Sequence, residues 1–339
     1  MLALETLIVA ALFFSLLLYA VLGGADFGGG MWDLLAWGPR ARLQREAIAA
    51  AIGPVWEANH VWLILAVVIL FTAFPVAFAA IMTALHIPIT LILIGIVLRG
   101  SAFVFRKYDA QNDAIHRRWS TVFGVASFLT PFFMGLTLGG LASGEIRVEG
   151  GIVTTGFFRG WLGPFALSCG LFAQGLFAFL AAAYLAADAR RYPALQEDFR
   201  RRALVSGVLL APAAGLVFLL AREGAPIIFS GLTSWWAPLL LLWTSVLAVV
   251  ALAALWWRRF EWARWSAAGQ VACIILGWGM AQYPYILVPD LTYHETAAPA
   301  ITLRLLAIGL GVGAVVLIPS LLYLLYIFKL HGDGLALEE

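Results

Sequence analysis

Long apolar runs alternate with short polar segments along the whole of this 339-residue chain. A helix that crosses the hydrocarbon core of a bilayer needs about 20 mostly apolar residues. The run from 54 to 98 is long enough for two helices, and Pro75 interrupts it near its middle. Because proline fits the first turn of a helix, we begin a third helix there rather than predict one bent helix with a re-entrant piece. The predicted helices lie near 4–24, 55–73, 76–98, 119–141, 158–186, 203–221, 236–257, 265–287 and 301–328, and they form a single integral membrane domain over 1–339.

The amino-acid composition supports a membrane protein and excludes a soluble one. Hydrophobic residues make up 63% of the chain and charged residues only 12%, and the mean hydropathy is +0.94. Soluble domains carry about 25% charged residues, so a soluble chain of this size could not cover its surface. The net charge of +2 indicates no nucleic-acid partner. Cys169 and Cys273 both lie in apolar runs and offer no disulfide framework.

The distribution of basic residues predicts how the chain is oriented. Most lysine and arginine residues fall in the loops after helices 1, 3, 5 and 7 and in the tail, all on one side of the membrane. The other side carries only Arg147, Arg159, Arg222 and, at the start of helix 9, Arg304. Lysine and arginine accumulate on the cytoplasmic side of membranes. The sequence therefore predicts an all-α membrane protein of about nine helices with its N-terminus outside and its C-terminus in the cytoplasm.

A few ionisable residues inside the predicted helices are the candidates for chemistry, because such groups are costly in lipid. Asp26 lies in the glycine-rich segment 23–30 at the predicted cytoplasmic end of helix 1. Glu57 and His60 are three residues apart at the start of helix 2, so they share a helix face. We predict that Asp26, Glu57 and His60 form a polar cluster that passes protons inward from the cytoplasm. The candidate supporting polar residues are Asn59, His86 and Arg99.

Structural roles for the same residues stay open at this stage. The helix dipole alone favours an acid in a first turn, which would explain Glu57. Asp26 could bind backbone N–H groups in a glycine-rich turn. Arg99 and Arg304 lie near helix ends, where long basic side chains anchor a helix by reaching the lipid headgroups.

The histidines do not predict a haem site in this chain, and no metal site is predicted. Counted from the predicted cytoplasmic helix ends, His60 lies about 9 Å deep and His86 about 18 Å deep, so the two are poorly matched to share one haem. The main alternative function is a secondary transporter or permease. Matched broken helices and polar residues at the membrane midplane would favour that function. A purely structural scaffold is a third interpretation.

Several segments resemble a known family. Residues 51–64 (AIGPVWEANHVWLI) are similar to the most characteristic stretch of subunit II of cytochrome bd quinol oxidases. Residues 21–33 resemble the end of helix 1 in that family, and residues 98–106 and 283–289 resemble later segments. The order and spacing of these segments, the chain length and the nine-helix topology are similar over the whole chain.

The resemblance implies a quinol oxidase that reduces oxygen to water in the cytoplasmic (inner) membrane of a bacterium. It implies two four-helix bundles plus one peripheral helix, and a haem-bearing partner, subunit I, which holds haems b558, b595 and d and oxidises quinol. Small single-helix subunits and a structural quinone or lipid are further expectations. Glu57 matches the acidic residue of a proton route from the cytoplasm, and Asp26 matches the acid of helix 1. Some members carry a second acid where this chain has Gly23.

The predicted orientation can be tested by labelling. Cysteines introduced near Glu149 and Thr292 are expected to react with a membrane-impermeant thiol reagent in intact cells, because both lie on the predicted outer side. A cysteine near Asn112 is expected to stay unlabelled until the membrane is permeabilised. Labelling of the Asn112 position first would show that the orientation or the helix count is wrong.

Overall fold

The computed structural model describes residues 4–108 and 113–330, so Asn112 lies outside the described residues. Its helices are α1 (Leu4–Leu18), α2 (Gly24–Leu34), α3 (Ala41–Ile52), α4 (Trp56–Ala73), α5 (Pro75–Ala84), α6 (His86–Tyr108), α7 (Asp113–Ser143), α8 (Pro164–Asp188), α9 (Pro193–Gly224), α10 (Pro226–Leu232), α11 (Ala237–Trp256), α12 (Phe260–Gln282) and α13 (Ala300–Leu325). There are π-helical turns at Tyr19–Gly23 and Tyr326–Leu330. Two short antiparallel hairpins pair β1 (Val148–Glu149) with β2 (Ile152–Val153) and β3 (Tyr285–Leu287) with β4 (Leu291–Thr292).

Eight helical segments of the described chain are long and apolar enough to cross a membrane. The first joins α1, the π-helical turn and α2 into one span, Leu4–Leu34. The helix α12 is not among the eight, but its 23 residues have the length of a span, and it packs along α11 and α8. The predicted crossings therefore correspond to eight apolar segments and α12.

The spans form two bundles with one helix outside them. In the first bundle α1 packs on α4, and α2 and α6 pack on α7. In the second bundle α8 packs on α9 and α12, and α11 packs on α9 and α12. The two bundles meet where α8 lies against α2 and α7. The helix α13 packs against the edge formed by α1 and α4, and Leu303 is its one buried residue in the described part of the chain. This is the predicted arrangement of two four-helix bundles plus a peripheral helix.

The two ends of the molecule differ in character. We call the end that carries α3 and the α8–α9 and α11–α12 turns the basic end, and the opposite end, which carries both β-hairpins, the hairpin end. The predicted cytoplasmic loop after helix 1 contains α3, whose apolar face is buried through Ala47, Ile48 and Ala51. The helix α9 begins at Pro193, ten residues before the predicted start, so it projects beyond the bilayer at the basic end.

The first helix is longer than predicted, and the expectation of a glycine-rich turn around Asp26 is wrong. Residues 24–34 are α-helical, although glycine has a low helix propensity. Tertiary packing overrides that propensity, because α2 lies against α8 too closely for side chains to fit between them. An added Cβ at Gly28 would overlap the backbone carbonyl of Phe177. Gly24 and Gly28 therefore serve this close approach and not a turn, and Gly29 and Gly30 leave room for side chains of α3 and α7.

The predicted third helix, residues 76–98, is also wrong in its limits. Pro75 begins the helix α5, which has ten residues and a length of only about 15 Å, too short to cross the bilayer. Phe74 and Leu85 leave helical geometry on either side of it. The third crossing is α6, which begins at His86 and runs to Tyr108. The break at Phe74 was predicted from Pro75, but the one at Leu85 was not, although Pro88 falls in the first turn of α6, where proline is favoured.

The packing of α2 on α8 predicts a large difference between two glycine substitutions. Gly28→Ala is expected to destabilise the protein by about 1–3 kcal/mol or more, because the new methyl group has no room. Gly309→Ala in α13 is the matched control, since a Cβ there meets nothing within 4 Å. The measurement is the thermal unfolding midpoint of the purified protein. Equal midpoints for the two variants would contradict the described contact.

Candidate functional site

A group of polar side chains is buried inside the first bundle, nearer the basic end. We call Tyr19, Asp26, Asn59, His60 and Arg99 the Arg99 cluster. Asp26, Asn59 and Arg99 are only 4%, 3% and 1% exposed. The amide nitrogen of Asn59 donates a hydrogen bond of 2.8 Å to a carboxylate oxygen of Asp26. Three spans contribute to the cluster, so it forms only when the bundle assembles.

The guanidinium of Arg99 is the centre of the cluster. Its Nη1 lies 3.2 Å from Nε2 of His60. A guanidinium can only donate, so Nε2 must accept, and the His60 ring is then neutral with its proton on Nδ1. Arg99 also lies over the ring of Phe27, at 4.7 Å from its centroid. The expectation that Arg99 is an interface anchor is therefore wrong, because its side chain points into the bundle and not to the headgroups.

Asp26 supplies the negative charge that offsets Arg99, and Asp26 and Tyr19 are its electrostatic neighbours. A similar pair lies further toward the basic end, where Nη1 of Arg106 donates a hydrogen bond of 2.9 Å to Asp33. The two acids are seven residues apart on one helix and the two arginines are seven apart on another, so both pairs repeat after two helical turns. The two acids therefore form a negative row on α2, and this row faces a positive row formed by the two arginines on α6.

Three buried residues of this region were not among the predicted candidates, namely Asp33, Arg106 and Tyr19. Arg106 falls beyond the predicted end of helix 3, and Asp33 beyond the predicted end of helix 1. The seven-residue spacing of the acids in residues 21–33 was the available signal for Asp33, but it has meaning only if the glycine-rich segment is helical. Nothing in the sequence marks Tyr19, whose ring lies 5.8 Å from the His60 ring and 6.4 Å from Phe27.

Glu57 does not belong to the Arg99 cluster. It lies in the first turn of α4 with an exposed side chain, and no hydrogen bond joins it to another residue in the described part of the chain. His60, one turn further along α4, is half-buried and contacts the cluster. The residue of α4 that reaches Asp26 is Asn59, so the structure brings Asp26, Asn59, His60 and Arg99 together and leaves Glu57 at the rim.

His86 lies away from the cluster, and its predicted position in the middle of a helix is wrong. It is the first residue of α6, at the hairpin end, and its Nδ1 lies 2.9 Å from the carbonyl oxygen of Thr83. Its ring packs on Phe157, with 5.2 Å between the ring centroids. His60 and His86 are therefore near opposite ends of the first bundle, because the third crossing begins ten residues later than predicted.

Charged residues at the hairpin end tie the two hairpin loops together. Arg147 donates two hydrogen bonds of 2.8 Å to the carboxylate of Asp290, which also accepts one from the Val148 N–H. Partial burial raises the pKa of Asp290, but the Arg147 guanidinium and the Val148 N–H lower it by more, so the net shift is downward. Asp290 is therefore ionised at neutral pH, and its ion pair with Arg147 links the two hairpins to each other.

An apolar cavity of about 670 Å³ lies toward the hairpin end, where the first bundle meets α12 of the second. Side chains of α1, α4, α7 and α12 form its walls, which are almost entirely apolar. Its polar atoms include the hydroxyl groups of Tyr283 and Tyr293, which lie 3.0 Å apart, and Thr6, which lies 3.3 Å from Tyr293. A volume of several hundred Å³ with a few convergent polar groups suits an amphiphilic ligand.

Comparison with known proteins gives consistent results. The profile of the family described as cytochrome bd terminal oxidase subunit II matches residues 4–328. Cytochrome bd-I ubiquinol oxidase subunit 2 of Escherichia coli (strain K12) is 25% identical over 340 residues, covering 90% of this chain and 87% of that protein. Cytochrome bd ubiquinol oxidase subunit 2 of Bacillus subtilis (strain 168) is 34% identical over 131 residues, which cover 38% of this chain and 37% of that protein.

The fold is similar to that of a solved structure. A chain of the bd oxidase from Geobacillus thermodenitrificans superposes with a TM-score of 0.76, covering 97% of this chain and 99% of that chain. The sequence identity between the two is 21%. At this identity the similarity shows the shared all-α membrane fold.

The buried pair Asp33–Arg106 predicts a non-additive pattern of stability. Asp33→Ala is expected to cost about 3–5 kcal/mol, because it leaves a buried guanidinium without its carboxylate. Asp33→Ala combined with Arg106→Met is expected to recover much of that loss. The control is Glu46→Ala, which breaks an exposed pair with Arg42 and is expected to cost no more than about 0.5 kcal/mol. Thermal unfolding of these proteins and of Arg106→Met alone tests this, and a loss in the double variant equal to the sum of the two single losses would contradict it.

Proposed function

This chain belongs to the cytochrome bd terminal oxidase subunit II family, and we propose that it is the non-haem-ligating subunit of a quinol:oxygen oxidoreductase. The complex would oxidise quinol, reduce oxygen to water and generate a proton gradient across the cytoplasmic membrane of a bacterium. The observation that carries this proposal is the family match over residues 4–328. Membership in this family also disfavours the alternative of a secondary transporter. On this proposal the chain alone is inactive.

We further propose that haems b558, b595 and d, together with quinol oxidation, belong to a haem-bearing subunit I. The positions of the membrane histidines support this assignment. His60 and His86 lie near opposite ends of the first bundle, so one haem cannot bridge them, and Nε2 of His60 already accepts a hydrogen bond from Arg99. Small single-helix subunits are further candidate partners, and the surrounding lipid covers the rest of the apolar surface.

The Arg99 cluster supports a route for protons from the basic end. Oxygen reduction consumes protons, and protons cross a membrane only along polar groups and water. Glu57 stands at the rim, where its exposed carboxylate can take up a proton from the cytoplasm. His60 lies one turn deeper, and Asp26 holds a negative charge in the interior that favours a proton in transit beside Arg99. We propose this order of residues for the route.

The apolar cavity at the hairpin end supports a bound quinone or lipid. Its volume of about 670 Å³ and its apolar walls suit an isoprenoid or acyl chain. The hydroxyl groups of Tyr283 and Tyr293 could hold a polar headgroup there. This site lies at the opposite end of the bundle from Glu57, so on this proposal the bound molecule has a structural role and takes no part in proton uptake.

The proposed role in an oxidase predicts what copurifies with the chain. An affinity-tagged form is expected to carry along a second membrane subunit and the absorbance bands of haem, and the purified complex is expected to oxidise quinol with oxygen. The chain expressed alone is expected to show no haem band. A haem band in the well-folded isolated chain that disappears with His60→Ala would contradict the assignment of all haems to the partner.

The proposed proton route predicts that the carboxylate of Glu57 is needed for turnover. Glu57→Gln keeps the size of the side chain but removes the group that carries the proton, so quinol oxidase turnover is expected to fall on the order of tenfold. Glu57→Asp is expected to retain much of the rate. Glu223→Gln, at an exposed position near the hairpin end, is the control and is expected to have no effect.

Haem content distinguishes the two roles of Glu57. Equal haem loading in Glu57→Gln and the parent complex, with slower turnover in the variant, supports the proton route. Normal turnover in a fully loaded Glu57→Gln complex would remove Glu57 from it. Loss of haem would favour the structural role, in which this acid helps the chain to support its partner.

A further inference from the structure

Four buried polar atoms of the Arg99 cluster have no hydrogen-bond partner among the described residues. They are the hydroxyl of Tyr19, the Oδ1 oxygen of Asn59, and the Nε and Nη2 nitrogens of Arg99. Buried polar groups in native proteins are nearly always paired, and where protein groups do not pair them, internal water does. Arg99 offers donors, Asn59 an acceptor, and Tyr19 both, which is the set of partners that a small group of waters needs. We infer that the cluster binds internal water.

Tyr19 lies on the side of this cluster that faces the membrane interior. It begins the π-helical turn Tyr19–Gly23, seven residues before Asp26 and thus about 10 Å nearer the hairpin end along the helix. Its ring folds back toward the cluster over Gly23, where the absence of a side chain leaves room, since a Cβ there would lie 2.7 Å from the ring. Turns of this kind are frequent at functional sites. Asp26 and Arg99 are the charged neighbours of its hydroxyl.

The charges of the cluster suit the passage of a proton and not its storage. Arg99 carries one positive charge and Asp26 one negative charge, while His60 is neutral because its Nε2 accepts from Arg99. Arg99 alone would repel a proton, as arginines do in pores that exclude protons. Asp26 offsets that barrier as an electrostatic neighbour of Arg99, and its carboxylate already accepts a hydrogen bond from Asn59. The proton must therefore move through groups that are neutral before and after the transfer.

We propose that Tyr19 is the inner proton-relay residue of this chain, connected to the rim by waters that Asn59 and Arg99 hold. The phenol oxygen takes a proton from one water as that water receives one from the rim side, and the phenol's own hydroxyl proton passes to a second water further inside. The O–H bond that breaks is replaced by the one that forms, so the phenol is neutral throughout. This proposal rests on the proposed function and names the residue to which the route leads.

A structural experiment tests the water site without reference to activity. A high-resolution map of the purified complex is expected to show ordered water within hydrogen-bond distance of the Tyr19 hydroxyl and of the free nitrogens of Arg99. The same map of Tyr19→Phe is expected to lack the water at the phenol position and to keep the ring in place against Phe27 and His60. A dry cluster in the parent complex would overturn the proposal.

A kinetic experiment tests the relay. In the haem-loaded complex Tyr19→Phe is expected to slow quinol oxidase turnover on the order of tenfold, and to raise the ratio of rates in H2O and D2O. Tyr184→Phe is the matched control, because it also removes a buried hydroxyl near the first span, but one that donates to the Val21 carbonyl. This control is expected to leave both the rate and the isotope effect unchanged.

The outcomes separate this proposal from the one on which it rests. If Glu57→Gln slows turnover but Tyr19→Phe does not, the relay is overturned and the proton route through Glu57 stands. If neither variant slows turnover, the proton route itself fails. Equal slowing by Tyr19→Phe and Tyr184→Phe, with no change in isotope effect, would show that only packing is affected and would also overturn the relay.

Discussion

The close contact between α2 and α8 is the constraint on which much of this structure depends. At Gly28 the two backbones approach so nearly that no side chain fits, and Trp32 adds a hydrogen bond of 2.8 Å from its indole nitrogen to the Ala178 carbonyl. This contact joins the two four-helix bundles. It also forces residues 24–34 to continue as a helix through the first bundle, and that helix carries two acids into the interior.

Buried acids require matched cations, and α6 provides them at the same spacing. Asp26 faces Arg99 and Asp33 faces Arg106, with seven residues between the members of each row. Neither charge of a pair would be tolerated alone in an apolar bundle, because the desolvation cost of an unpaired ion is several kcal/mol. The pairs therefore hold the register between α2 and α6, and Asn59 and His60 of α4 each make one hydrogen bond to the inner pair.

Lipid as the solvent explains why so many of the apolar residues are exposed. The α4 face that begins at Glu57 continues through Ile64 and Phe71, which are 61% and 60% exposed. In water such a face would be unstable, whereas in a bilayer or against a membrane partner it is the expected surface. One carboxylate at the head of this apolar face can meet the solution at the basic end, while the charged groups of the Arg99 cluster stay inside. Glu57 therefore lies at the rim, whereas the Arg99 cluster lies in the interior.

The hydrophobic pattern by itself determined that this is a polytopic membrane protein, gave most of its crossings and predicted a polar group near Asp26 and His60. It could do so because the bilayer requires long apolar helices, whatever their partners are. Only the tertiary structure decided that residues 24–34 are helical, that the chain breaks a second time at Leu85, and that Arg99 is buried while Glu57 is exposed. Those features depend on which helix faces meet, and contacts between residues far apart in the chain leave no periodic signal in an almost uniformly apolar sequence.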